Sequence, residues 1–365
     1  MYKEYRARHP EVDFQLTLSA GGAMDNGQKL MAELAAGLGP DVLHDTTYDQ
    51  VRGGYCLDLT DHIASWKDRF YPPALASCTW DGRIYNLPTE YSMVPCIWNL
   101  ATLASVGKKV PQTFEEYMDV GDALRRKNID FTSLSVSGHH IFFSIVFGYP
   151  EATELIARKQ WRSEPFRDAM NVIRQIVAAK LLPSNDAEIV FGQAASLFQQ
   201  DRLGHYMNGA WTINNEILSP GVPEALRHHV AFTPFPSYRG VRPIRAWAAT
   251  KSALNHNLGD DPAKLKAGLA FVELMTSPES ARRFVSQARS PQGVKIDVTR
   301  QMAGDLLYDH MNSYRQATSV FAFPNNPGFF SEQVAGQALP NAFVCLQEGG
   351  TLDAAMTVFA EGMSL

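Results

Sequence analysis

The stretch Thr79–Asn99, TWDGRIYNLPTEYSMVPCIWN, decides the reading of this chain. Asp81-Gly82 marks a turn, because glycine takes the positive φ of a tight turn at no steric cost. Ile84–Leu87 reads as a short strand that Pro88 ends, since proline brings no N–H to a ladder. Thr89-Glu90-Tyr91 reads as a polar and aromatic loop. Met93–Trp98 reads as a second apolar strand, interrupted by Pro95 and therefore at a sheet edge or a bend. Strand, polar-aromatic loop and strand together make a place where a carboxylate and rings can meet a ligand. Further on, Pro111-Gln-Thr113-Phe-Glu115-Glu116 starts a helix, with Thr113 as cap and Glu116 returning the bond at capping-box spacing.

The bulk properties narrow the field. At 365 residues the default is two domains. A 45% apolar composition supports a well-buried core. A net charge of -5, with no basic block, argues against nucleic acid as the main partner. The longest apolar run, Ile141–Tyr149, is interrupted by Ser144 and Gly148 and falls short of the roughly 20 residues that span a bilayer. The chain starts Met1-Tyr-Lys-Glu-Tyr-Arg-Ala-Arg8, charged and with no apolar stretch after it, so no signal peptide is read here. Taken alone, that start suits a cytoplasmic protein or a mature, trimmed form. The four cysteines, Cys56, Cys78, Cys96 and Cys345, lack metal-type C-x-x-C spacing. In an exported protein a Cys56–Cys78 bridge is one reading, and four buried thiols are the other.

The order of these features resembles one family: the extracellular solute-binding proteins of ABC importers, family 1, in the maltose-binding-protein-like carbohydrate branch. The resemblance is carried by Asp81-Gly82-Arg83, Tyr85-Asn-Leu-Pro88, the apolar Met93–Ile97, Trp98-Asn99 and Pro111–Glu116. Gly37-x-x-Pro40-Asp41-Val42, Leu57–Asp61, Pro234-Phe-Pro236 and Ser277-Pro-Glu279 extend it to nearly the whole chain, the extreme N-terminus and residues 130–160 excepted. It implies an α/β, two-lobed periplasmic-binding-protein fold of type II. Each lobe would be a mixed sheet flanked by helices, with the ligand cleft between the lobes. The implied N-terminal lobe is 1–98 plus 246–300 and the C-terminal lobe 99–240 plus 301–365, with hinges near 97–100, 240–246 and 298–312. Relatives begin with an export signal and a first strand. By that comparison Tyr2–Arg8 is the end of the first helix, His9-Pro-Glu-Val12 to Leu18 is the second strand, and the first strand is missing. The native location implied is periplasmic, or extracellular and membrane-associated.

Candidate site residues follow from both lines of reasoning. The loop His44–Asp49 lies at the C-terminal end of a strand read at Val42-Leu43, where open α/β sheets bind ligands. Asp45, Tyr48 and Asp49 are its candidates, and a polar helix-capping loop is the equal alternative. Glu90 and Tyr91 come from the opening stretch, with Trp98 as a further ring. His205–Asn208 reads as a strand and runs into Gly209-Ala-Trp211-Thr212, in which Thr212 caps the next helix. This resembles the family's Gly-x-Trp segment. Asn208 is a hydrogen-bonding candidate. Gly209 lets backbone approach a ligand, and Trp211 offers a flat face to a sugar, a buried core ring being the alternative. Trp247, inside a strand at Ile244–Thr250, and Phe329 or Phe330, after Pro324-x-x-Pro327, complete the set.

His139-His140 has no acidic or cysteine partner at ligand spacing, so the polar segment Phe131–His140 reads as a loop or cleft edge, and no metal or other cofactor is expected. No G-x-S-x-G, H-E-x-x-H, phosphate-loop or dinucleotide-binding glycine pattern is present, and the expectation is a binder, not an enzyme. Glu90 with Asp45 or Asp49 is the nearest thing to a glycosidase carboxylate pair. The expected partners are a small solute, in the first place a carbohydrate, and the membrane permease of an importer. The chain is expected to be a monomer. A polyamine or a glycerol-phosphate is the alternative solute, with Arg242 or Arg245 for a phosphate. A ligand-free interaction protein is a further alternative.

Overall fold

The computed structural model describes residues 2–17, 23–46, 48–321 and 332–364. Nine strands lie among them: β1 (Val42–His44), β2 (Thr79–Trp80), β3 (Arg83–Ile84), β4 (Leu87–Val94), β5 (Cys96–Asn99), β6 (His205–Met207), β7 (Val230–Thr233), β8 (Pro243–Leu254) and β9 (Ser319–Phe321). The chain divides into two compact units. The first takes residues up to Ser92 together with Trp247–Ala303. The second takes Met93–Ala246, residues 304–321 and the closing helices. The chain thus passes from one unit to the other inside β4 and again inside β8.

In the first unit β8 is the central strand, with β1 on one side and β4 on the other. β1 and β8 are antiparallel, Val42 opposite Leu254 and His44 opposite Ser252. The core gathers Tyr5, Leu59, Ile63, Phe70, Leu87, Leu254, Phe271 and Val294. Two helices cover it, and their starts are written in the sequence. Asp261 caps Pro262–Met275 by accepting from the N–H groups of Ala263 and Lys264, and Ser277 caps Pro278–Ala288 by accepting from Ser280.

In the second unit β5 is central, antiparallel to β6 and β7, with Cys96 opposite both Met207 and Thr233. The start of β8 pairs in parallel with β9, Ile244 opposite Val320. Around this sheet lie the helices Leu134–Val146, Glu164–Ala178, Glu332–Gln347 and Leu352–Gly362. Phe142 and Phe166 meet Phe359 at ring separations of 5.2 and 5.9 Å.

Several expectations are corrected. Pro88 does not end a strand: it is the second residue of β4, which runs on through Thr89-Glu90-Tyr91. Pro95 sets the bend between β4 and β5, and β5 is a central strand, not an edge. Residues 13–17 form no strand, yet Val12 and Phe14 still pack on the first core, Phe14 lying 5.0 Å from Phe271. The segment read as a polar loop at 131–140 is largely helix, Leu134–Val146, buried nearly all round. Two of its polar groups bond internally: the Ser137 hydroxyl accepts from the Met207 N–H, and the Asp186 carboxylate accepts from the Leu134 N–H in place of a cap. Gly138 admits Phe343, whose ring would sit 2.5 Å from a β-carbon there. Thr113 caps Phe114–Arg125 as read, but Glu116 returns its bond to the N–H of Gln112, one residue before the cap. Thr212 is fully buried and makes no capping bond. The four cysteines are unbridged, and burial pushes the thiols of Cys56 and Cys78 up to about 12. Residues 19–22, read as a loop, lie outside the described residues.

Candidate functional site

Two sets of sequence-marked residues are built, one in each unit. In the first unit the set grows from β4 and β8. The Thr89 hydroxyl donates to the Thr250 carbonyl at 3.0 Å, and the Tyr91 N–H donates to the Pro291 carbonyl at 3.0 Å. These bonds fix the strand on both sides of Glu90. The Glu90 carboxylate accepts from the Thr250 hydroxyl at 3.5 Å. Burial raises Glu90 to about 7, with the nearby charge of Asp45 adding to it and hydrogen bonds from Thr250 and Ser290 working against it. A carboxyl so placed is partly protonated near neutrality, and in that form it can both donate and accept. The Tyr91 ring stacks on Tyr71, 6.2 Å between centroids.

Asp45 follows β1 with φ +57° and is exposed. Its loop is pinned to β8: the Thr46 N–H donates to the Lys251 carbonyl at 3.1 Å, and the Thr46 hydroxyl donates to Asn86 Oδ1 at 3.0 Å. Tyr48 and Asp49 open the helix Tyr48–Arg52, Asp49 as the acidic residue of its first turn and half-buried. Trp247 is half-buried on β8.

In the second unit the set sits where β6 ends. Asn208 is 6% exposed, and its amide nitrogen is buried with no hydrogen-bond partner among the described residues. Gly209 is required by its neighbour: a β-carbon there would run into the six-membered ring of Trp211. The indole therefore folds back over the glycine and stays half-buried. Among the described residues no three His, Cys, Asp or Glu side chains come together as a metal site, and no helix is long and apolar enough to cross a membrane.

The sequence profile of the bacterial extracellular solute-binding proteins matches residues 1–292. The chain belongs to that family. No curated protein sequence matches it. Solved structures resemble it over nearly their full length. A chitin oligosaccharide binding protein is 18% identical with a TM-score of 0.78, over 100% of this chain and 93% of that one. A Streptococcus pneumoniae solute-binding protein, solved with the blood group A-trisaccharide, is 17% identical with a TM-score of 0.79, over 100% and 94%. The sugar-binding protein MalE from Xanthomonas citri is 15% identical with a TM-score of 0.76, over 99% and 91%. The fold is accordingly the α/β, two-lobed fold of solute-binding proteins.

Within this solute-binding protein the candidate residues separate. Asp45 and Glu90 are close enough to act on each other, and Tyr91 adjoins Glu90 on β4. Trp98 is a correction: it is 0% exposed, its indole N–H donates to the Thr233 hydroxyl at 2.9 Å, and its ring packs 4.5 Å from His205. It is a core residue, because β5 is central and its side chains meet β6, β7 and a helix. His205 is held neutral by the same burial, its pKa depressed to about 3. Phe329 and Phe330 lie outside the described residues. Two partners were not legible: Tyr71, which meets Tyr91, and Thr250, which meets Glu90. Each touches its candidate only through chain-distant packing, and neither stands in a motif.

Proposed function

We propose that this protein is the solute receptor of an ABC importer and that its solute is a carbohydrate. The observation that supports this best is the grouping at the end of β6. A buried amide N–H2 of Asn208, with no hydrogen-bond partner among the described residues, adjoins a half-buried indole that Gly209 lets fold flat against the backbone. A sugar offers both complements: hydroxyl oxygens for the amide and a C–H face for the ring. In the other unit Glu90, Asp45 and Tyr91 suit hydroxyl groups, and Trp247 is a second candidate ring. The solved structures it resembles include proteins described with chitin oligosaccharide, a blood-group trisaccharide and, for MalE, sugar.

In this reading binding shifts an open–closed equilibrium, with the chain bending where it crosses between the units, inside β4 and β8. The closed receptor then presents itself to the permease. It works outside the cytoplasm, as a monomer, without nucleic acid and without catalysing a reaction on the solute.

A thermal-shift screen tests this. The panel holds mono- and oligosaccharides, polyol phosphates, polyamines and ferric chelates. A true ligand at a hundredfold excess over Kd adds about 2.7 kcal/mol to stability. The expected result is a sugar hit that is lost in Trp211→Ala. A hit confined to polyamines or phosphates leaves the fold and overturns the sugar.

A further inference from the structure

Just after the Trp211 segment in the chain comes a buried acid that the binding role does not use. Directly after Trp211-Thr212 the chain makes a single wide turn, Ile213–Ile217, closed by the Leu218 N–H on the Ile213 carbonyl at 2.8 Å. Such five-residue π turns are uncommon and concentrate at functional places. Glu216 is in this turn and is 6% exposed. The Tyr206 hydroxyl donates to its Oε2 at 2.7 Å, while its Oε1 is buried with no partner among the described residues.

Tyr206 cannot follow a moving carboxyl. It is on β6, fully buried, with Phe198 edge-on at 4.9 Å and Phe191 at 6.2 Å. From the neighbouring helix the Gln199 amide donates to the backbone carbonyl of Glu216 at 2.8 Å and leaves the side chain alone. Tyr206 is the titratable group that faces the carboxyl, and among the described residues no cation acts on it. A protonated carboxyl leaves one O–H without an acceptor here but brings no charge into the interior. An ionised one has about four acceptor positions and finds one donor, so the buried charge is left under-served and must draw in water or turn outward.

We propose that Glu216 is a positioning residue for Trp211: while its carboxyl keeps its proton it holds the turn that follows the indole, and on losing the proton it releases that turn. The proposal rests on Trp211 being a solute-facing ring. Burial raises the Glu216 pKa to about 7, against the lowering effect of the Tyr206 hydrogen bond, which puts the transition in an accessible range.

The test is a pH titration of tryptophan fluorescence on the solute-free protein between pH 5.5 and 8.5, taken as the difference from Trp211→Phe. The wild type is expected to show a transition near pH 7. Glu216→Gln, which mimics the protonated acid, should abolish it. Tyr206→Phe, which removes the donor that favours the ionised form, should move the midpoint up by about one pH unit. A transition that persists in Glu216→Gln, one that Tyr206→Phe leaves in place, or a flat wild-type trace overturns the proposal. If Glu216→Gln does not fold, the direction of the Tyr206→Phe shift decides alone. The two readings fail separately. No sugar hit with the expected titration sinks the carbohydrate reading, and a sugar hit with a flat titration sinks this one.

Discussion

Single residues carry the binding prediction and expose where sequence reading works. Trp211→Ala is expected to weaken sugar binding about tenfold or more, roughly 1.4 kcal/mol, with a small change in melting temperature because the ring is half-buried. Isothermal titration calorimetry against the best hit of the screen checks it. Trp98→Phe should behave in the opposite way. Its indole N–H is spent on Thr233 inside the core, so stability falls by about 1–3 kcal/mol and solute affinity in the surviving folded protein is unchanged, as read by chemical denaturation and the same calorimetry. Both tryptophans stand in family-like motifs, and sequence could not separate them. What separates them is strand position, since a ring on a central strand is enclosed and a ring after a strand end is not. Gly209 was legible as a glycine needed at close quarters. That its close neighbour is the Trp211 ring follows from the fold and not from the motif.

Among the elements, local chemistry was readable and sheet neighbours were not. The helix Phe114–Arg125 was legible from its cap, and Thr113→Ala is expected to cost about 1 kcal/mol in a urea melt. The helix Leu134–Val146 was hidden by its own composition. Its serines and histidines look solvated, yet Ser137, His140 and Ser144 are interior, and the partner of Ser137 comes from β6, 70 residues away. β4 was misread because a proline without an N–H reads as a strand end, whereas Pro88 is the second residue of the strand. A third element shows design by side chains. The turn before β8, Tyr238 to Val241, has Arg239 at φ +51° and Gly240 at +82° and is tied down by one carboxylate. Asp168 accepts from the hydroxyls of both Tyr149 and Tyr238 at 2.7 Å, and Arg239 lies over the Tyr149 ring. Asp168→Ala removes the acceptor of both part-buried hydroxyls and should cost about 1 kcal/mol, with faster hydrogen exchange at the N–H groups of Tyr238 and Val241 as the specific sign.

At the level of the whole molecule, two buried glutamates set an expected pH response. Glu90 and Glu216 are both raised from 4.5 to about 7 by burial. The folded protein therefore binds more protons than the unfolded chain between those values. Stability from these two groups is full below pH 4.5 and is lost as pH rises through 7. His205 and His310, depressed to about 3 by burial, are already neutral in the folded protein across this range and act in the opposite sense, losing stability as pH falls below 6.5. The melting temperature is expected to drop between pH 6.5 and 8, and a Glu90→Gln, Glu216→Gln double variant should flatten that limb. Differential scanning calorimetry over the range decides it. The passage of the chain between units inside β4 and β8 has a consequence for anyone dissecting the gene. Neither unit is one uninterrupted reading frame, and a cut after Ser92 leaves a fragment without its own central strand, β8. Expressed as two halves, the protein should yield inclusion bodies, as fractionation of the lysate will tell, because each half is left holding strands whose partners are on the other.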